Sequence, residues 1–162
     1  MAIRECTDSD FSTITALTNR IIATTAIHFG YDPLPDAELP ALWRAQRDTF
    51  PWLTMTDQAG AFLGYAKAGS WRARAAYRWT CETTIHLAES ARGHGHGLTL
   101  YTALLAACRA RGFHSAIGGI SLPNPASVAL HEKLGFVPVG VVKEAGTKFG
   151  TWHDVGFWQL ML

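Results

Sequence analysis

Arg92-Gly93-His94-Gly95-His96-Gly97 is the segment of this 162-residue chain best suited to chemistry. Glycines let backbone N–H groups approach an anion closely. A strongly helical run, Leu98 to Arg111, follows directly, and a helix N-terminus adds partial positive charge. The segment reads as a phosphate cradle that continues through Leu98 and Thr99. It also fits a flexible turn that merely feeds a helix. Two familiar phosphate motifs are excluded. A dinucleotide fingerprint starting at Gly93 needs a glycine where Leu98 stands, and a P-loop needs Gly-Lys before Ser or Thr. His94 and His96 could hold zinc, but no third ligand stands at a suggestive spacing.

Other side chains invite chemistry. Arg72 and Arg74 lie in a basic, aromatic connector ending at Tyr77. Guanidinium groups match a carboxylate or phosphinate in bidentate geometry, although two solvated charges would look the same. A loop from Thr24 to Pro35 carries His28, Phe29 and Tyr31, bulky rings of the kind that line binding sites. The three cysteines, Cys6, Cys81 and Cys108, are scattered and form no CxxC. Neither a disulfide framework nor a cysteine zinc site is expected, and a reducing cytoplasm is.

These residues need a scaffold, and hydrophobic periodicity outlines one. Ile3 to Glu5 reads as a strand. Thr7-Asp8-Ser9-Asp10 offers a helix cap, and Phe11, Ile14, Leu17 and Ile21 follow at helical spacing. Asp36 opens a second helix through Asp48. Pro51–Thr56 and Ala61–Ala68 read as strands joined by a turn at 57–60. The clearest strand is Trp79 to Leu87. Trp79, Cys81, Thr83, Ile85 and Leu87 share one face; Thr80, Glu82, Thr84 and His86 share the other. After the helix from Leu98, closed by Gly112, come a strand over Ser115–Ile120 and a turn at 123–125. A last helix ends at Gly135, followed by strands over Phe136–Val142 and Thr151–Met161. The order predicts one α/β domain over residues 1–162, a mixed sheet covered by helices.

Composition narrows the function. Hydrophobic residues are 48%, charged residues 17% and the net charge +1. A substantial core is predicted, with no strong field for nucleic acid or an anionic membrane. No apolar run is long enough to span a bilayer, and the opening residues lack a signal peptide's apolar stretch.

Arg92-x-x-Gly95-x-Gly97, between a strand and a helix, resembles the pyrophosphate-binding signature of the GNAT N-acetyltransferases. Asn124-Pro125-Ala126-Ser127 and Leu130-His131-Glu132-Lys133-Leu134-Gly135-Phe136 resemble that family's later cofactor-binding helix, with His131 where a tyrosine is usual. Tyr77–Thr84, Leu100-Tyr101, Leu122–Asn124 and Trp152-His153-Asp154-Val155-Gly156-Phe157-Trp158 resemble the phosphinothricin N-acetyltransferase branch. That branch also acetylates methionine sulfone, methionine sulfoximine and arsinothricin. The resemblance runs from Ile3 to the C-terminus.

It implies a mostly antiparallel GNAT sheet flanked by helices, acetyl-CoA as co-substrate, no metal, and a homodimer. The partner is a small amino-acid-like amine, not nucleic acid or membrane. Glu82 is implied as the base and His131 as a second catalytic group, either protonating the departing thiolate or acting as a second base. Residue pattern alone favours a core histidine at 131. Arg92 and the glycine-loop amides would hold the pyrophosphate. Ile85, His86 and Leu87 would bond the pantetheine arm through their backbone, with Asn124, Ser127 and Lys133 on its other side. Phe29, Arg72, Arg74, Tyr77 and His153 would bind the acceptor. Alternatives are acetylation of another amine, such as a polyamine, an antibiotic or a protein N-terminus, and a non-catalytic CoA sensor.

Overall fold

The computed structural model describes residues 1–162. Strand β1 (Ala2–Glu5) leads through a short helical turn into α1 (Phe11–Thr24) and α2 (Glu38–Gln46). Then come β2 (Trp52–Thr56), β3 (Phe62–Ser70) and β4 (Thr80–Leu87). Helix α3 (His96–Ala110), β5 (Ser115–Leu122), α4 (Pro125–Lys133), β6 (Val137–Lys148) and β7 (Thr151–Met161) complete the chain. All seven strands form one sheet in the order β1-β2-β3-β4-β5-β7-β6.

Period-2 patterning splits the core into two layers. Leu53, Met55, Ala66, Ala68 and Cys81 meet Leu100, Tyr101, Leu104 and Cys108 of α3 on one face. Trp52 and Tyr65 meet Phe11 and Ile14 of α1 and Leu39 and Trp43 of α2 on the other. Each Leu, Ile, Met or Phe among them, once buried, contributes roughly 1.5–3 kcal/mol. The Sγ atoms of Cys81 and Cys108 lie 3.9 Å apart, and all three cysteines are free and buried.

Several boundaries differ from the periodic reading, most by one or two residues, and three of the differences have a clear local basis. Helix α3 starts at His96 rather than Leu98, because the left-handed Gly95 (φ 80°) ends the loop and Gly97 packs against Leu130 of α4. Helix α2 starts at Glu38 after Ala37, and Asp36 supplies no side-chain cap. Strand β6 runs on past Val142 to Lys148 through an irregularity that β7 tolerates.

One ladder decides where a ligand fits. β4 is antiparallel to β3 along its length, from Ser70↔Cys81 to Gly64↔Leu87. Its parallel ladder with β5 runs only from Thr80↔Ser115 to Thr83↔Gly118. β5 continues beside β7 to Leu122↔Asp154, so β4 and β5 part company after Thr83.

Candidate active site

Backbone groups alternate sides along a strand. Trp79 O accepts from Ser115 N and Ala88 N donates to Leu63 O, so odd residues address β5 and even residues address β3. The N–H and C=O groups of Ile85 and Leu87 therefore face the split, without a ladder partner there. Those of His86 are turned to β3, opposite Tyr65. Of the three residues read as backbone ligands, the sheet commits His86 elsewhere.

The split holds a cavity of about 150 Å³ lined by Thr83 to His86 of β4, Gly119 to Ser121 of β5, Asn124, Ser127 and His131 of α4, and Ile27 and His28. A groove of about 220 Å³ shares five of these residues and continues along Leu87, Arg92, Ala126 and Leu130. Asn124 caps α4, its Oδ1 accepting from Ser127 N at 3.1 Å. Lys133 is exposed and lines neither space. A larger cavity, about 610 Å³, lies across the molecule beside Glu5, Trp43 and Arg111. Two of its acids are already spent on arginines, Glu5 with Arg111 and Asp8 with Arg44.

Glu82 stands on the α1/α2 face of β4. A methyl group on Gly119 would sit 3.4 Å from its Oε1, so the carboxylate lies against β5 beside the cavity. Burial pushes its pKa up, against the pull of Lys67 and Arg72. Lys67 projects from β3 on the same face, its Nζ 4.6 Å from the centre of the Trp52 ring. Burial lowers its ammonium pKa, and Glu82 partly offsets this. His86 packs edge-on to Tyr65 at 5.5 Å. Burial, with His28, Lys67 and Arg92 nearby, pushes its pKa down to about 4, so it is neutral near pH 7.

His131 occupies the opposite, α3/α4 face and is 4% exposed. Its Nδ1 lies 2.8 Å from Ser127 O, a group that only accepts, so Nδ1 carries the proton. Its Nε2 lies 3.0 Å from Tyr101 Oη. Burial lowers the imidazole pKa, opposed by the Ser127 carbonyl. The ring lies on Gly118, where a β-carbon would come within 2.4 Å of Nε2.

The glycine loop keeps the geometry that its composition suggests. Gly93 (φ 79°) and Gly95 (φ 80°) adopt the left-handed region. Arg92 Nη2 reaches back to Leu87 O at 3.4 Å, and the guanidinium borders a cavity of about 290 Å³ with Leu17, Arg20 and Glu89. The His94 and His96 rings stack at 5.8 Å beside the loop. Thr99 Oγ1 is turned back to Gly95 O at 3.4 Å, and Leu98 is part-buried. No group of three or more His, Cys, Asp or Glu side chains converges to hold a metal ion.

The residues read as acceptor ligands gather only in part. Phe29 packs on Gly146 and faces His153 at 6.3 Å between ring centres. Arg72 lies 4.9 Å over Trp71, whose ring meets Phe157 edge-on at 5.5 Å. Phe157 in turn borders Gly119 next to Glu82. Arg74 and Tyr77 stand exposed on the connector. The aromatic loop is tied down by Lys148, which is 2% exposed and donates from Nζ to Ile22 O at 2.5 Å and His28 O at 2.6 Å. Tyr31 Oη adds a bond to Thr147 O at 2.5 Å. Lys67 and Lys148 escaped the sequence reading, and Trp71 and Phe157 were not read as site residues; His28 was flagged with its loop. A lysine inside an otherwise apolar strand was the one available signal, at Lys67.

Comparison with known proteins agrees with this geometry. The family model "Acetyltransferase (GNAT) family" matches residues 8–136. A phosphinothricin N-acetyltransferase of Streptomyces viridochromogenes is 42% identical over 158 residues, 97% of this chain and 85% of that one. An L-methionine sulfoximine/L-methionine sulfone acetyltransferase of Pseudomonas paraeruginosa is 36% identical over 99% of this chain and 94% of its own length. The crystal structure of a GNAT superfamily phosphinothricin acetyltransferase from Sinorhizobium meliloti in complex with AcCoA superposes with a TM-score of 0.96. It is 33% identical and covers 99% of this chain and 88% of that one. A split sheet, a left-handed glycine loop ahead of a helix, and full-length similarity above 40% identity carry one conclusion: this chain belongs to the GNAT family of acetyltransferases.

Proposed function

We propose that this chain transfers the acetyl group of acetyl-CoA to the α-amine of a small amino-acid analogue, by direct attack in a ternary complex. The observation that carries the proposal is the ladder that opens after Thr83↔Gly118, with Glu82 on one face of the opening and His131 on the other. The backbone groups of Ile85 and Leu87 that β5 leaves without a ladder partner fit an amide-bearing arm such as pantetheine. The loop amides from Gly93 to Gly97, with Arg92, suit its diphosphate. When bound, the thioester supplies an activated acetyl carbon.

The protein's own residues do the rest. An α-amine has a pKa of roughly 8, so a base must take its proton. Glu82, its pKa raised by burial, is that base, directly or through a water. An N–H on the open edge of β4 stabilises charge on the carbonyl oxygen. The N–C bond forms, the C–S bond breaks, and His131 supplies a proton to the departing thiolate. Cysteine relay chemistry has little support here. Burial pushes the Cys6 thiol up to about 12, and Cys81 is pushed up by its Cys108 contact and by burial.

The substrate class follows the relatives, which are named for phosphinothricin and for methionine sulfoximine and sulfone. Arg72 and Arg74 supply positive charge for the acceptor's acidic group, and Phe29, Tyr77 and His153 wall it in. The proposed setting is a cytoplasmic homodimer that detoxifies amino-acid-like antibiotics or herbicides. Val137, Val139 and Val141, about half exposed along edge strand β6, offer an apolar surface for the second copy. Light scattering reads that mass directly. The deciding assay is thiol release from acetyl-CoA across phosphinothricin, methionine sulfone, methionine sulfoximine, a polyamine and an N-terminal peptide. Turnover confined to the polyamine or the peptide rejects the substrate class; no turnover with any amine rejects the enzyme.

A further inference from the structure

Three buried side chains form an unbroken line on the α3/α4 face. Thr83 Oγ1 lies 3.2 Å from Ile117 O and 2.5 Å from Tyr101 Oη. Tyr101 Oη lies 3.0 Å from His131 Nε2, and His131 Nδ1 lies 2.8 Å from Ser127 O. Tyr101 is 0% exposed, His131 4% and Thr83 5%. Both ends of the line are carbonyl oxygens, which accept and never donate.

A proton count follows from that. With His131 neutral, three protons serve four hydrogen-bond links. His131 Nδ1–H donates to Ser127 O, Tyr101 O–H donates to Nε2, and Thr83 O–H donates to Tyr101 Oη. The link to Ile117 O is then empty. When His131 gains a proton, four protons serve four links: Nδ1–H still donates to Ser127 O, Nε2–H to Tyr101 Oη, Tyr101 O–H to Thr83 Oγ1, and Thr83 O–H to Ile117 O. The change needs only two hydroxyl rotations. No buried donor is orphaned in either state.

We infer that Thr83 and Tyr101 are positioning residues that order the His131 proton, fixing its Nδ1–H tautomer and giving its imidazolium form a complete set of partners. The inference rests on the reading of His131 as a proton carrier in acetyl transfer. The step balances without a further reagent. A proton from solvent forms the Nε2–H bond, the hydroxyls reverse, and the imidazolium then gives one proton to the CoA thiolate, while the amine proton goes to Glu82. Few other groups intervene. Tyr101 from α3 is the one titratable group touching the ring; β4 presents Thr83, β5 the bare Gly118, and Phe136 packs at 5.0 Å. No charged side chain contributes to the His131 titration.

The test is a ¹⁵N and ¹³C NMR titration of His131 in the native full-length protein and in Thr83→Val, Thr83→Ser and Tyr101→Phe, beside kcat and both KM values. The native neutral ring is expected as the Nδ1–H tautomer. Thr83→Val leaves Tyr101 without an acceptor in the charged state. Its His131 midpoint is expected to fall by about half to one pH unit, with kcat near neutral pH down by up to about tenfold. KM for acetyl-CoA is expected to hold, and Thr83→Ser to restore both values. Tyr101→Phe, which keeps the ring volume, is expected to lower kcat further. An Nε2–H tautomer in the native protein overturns the inference on its own, without any variant having to fold. So does a folded Thr83→Val or Tyr101→Phe variant with the native midpoint and kcat. A native protein that shows the relay but acetylates no amine refutes the proposed reaction and leaves the proton order standing.

Discussion

Adding one methyl group to Gly118 tests the placement of His131 most sharply. A β-carbon there would lie 2.4 Å from His131 Nε2 and 2.5 Å from Cδ2. Non-bonded atoms settle at about 3.5 Å or more, so the ring must retreat by about 1 Å. It has little room, because Tyr101 and Phe136 pack against it at 5.1 and 5.0 Å between ring centres. A shift of that size breaks the bonds at 2.8 and 3.0 Å that orient the imidazole. Overpacking costs about 1–3 kcal/mol, and each lost hydrogen bond about 1 kcal/mol. Replacing a strand glycine returns about 0.5–1 kcal/mol. The net loss of about 2–4.5 kcal/mol still leaves a domain of ordinary stability, about 5–15 kcal/mol, folded. A misplaced proton-transfer group costs about 100-fold in kcat. Gly119→Ala is the matched control. Its β-carbon would point to the other face and meet Phe157 at 3.3 Å and Glu82 Oε1 at 3.4 Å, which a few tenths of an ångström relieve. Gly119 lines the same cavity beside Glu82, so Gly119→Ala is expected to lose some activity, but clearly less than Gly118→Ala. Thermal unfolding and thiol-release kinetics on the pair decide the matter. A folded Gly118→Ala enzyme with native kcat refutes the geometry and the role drawn from it.

Four further outcomes are expected. Glu82→Gln should lose most turnover while acetyl-CoA binding, read by calorimetry, survives. Because burial raises the Glu82 pKa, native activity should fall with falling pH at a midpoint above the usual 4.5, and Glu82→Gln should be more stable than native near pH 7. Arg72→Ala is expected to raise KM for acidic amino-acid analogues more than Arg74→Ala does, since Arg72 acts on Glu82 and Arg74 does not. His86 is depressed to about 4, so the unfolded chain binds the extra proton between about pH 6.5 and 4; native stability should decline by up to about 1.4 kcal/mol per pH unit there, and His86→Phe should flatten that slope in urea titrations. Lys148→Met orphans the carbonyls of Ile22 and His28; it should cost about 1–3 kcal/mol and raise KM for the acceptor while sparing KM for acetyl-CoA.

Local patterns carried much of this site. Alternation along Trp79–Leu87 places Glu82 opposite Cys81, and the strand does so in three dimensions. The glycine loop and the turn at 123–125 were equally legible, because turn chemistry is local; the capping role of Asn124 emerged only in the fold. Strand β6 was not readable past Val142. Its outer face is exposed, so no buried stripe marks it, and Lys143-Glu144-Ala145-Gly146 resembles a turn. Neither were Lys67 and Lys148, because a lysine predicts solvent until packing encloses its stem. The Thr83–Tyr101–His131 line joins residues 18 and 30 positions apart on three elements, and no spacing rule links them. Arg74, nominated for its guanidinium chemistry, and Lys133, nominated beside the cofactor arm, are both exposed, and sequence gives no measure of how far either reaches.

If acetyl-CoA lies where it is proposed to, the half-zipped seam between β4 and β5 would tie the lifetime of the protein to metabolism. An open strand edge is a template for any passing strand, including one from a partly unfolded neighbour. A molecule threaded along Ile85 and Leu87 closes that template as a missing strand would. At 100 times its Kd it adds about 2.7 kcal/mol of stability. A well-fed cell with abundant acetyl donor would thus keep its stock sealed, whereas a starved one would expose raw edges to aggregation and proteolysis.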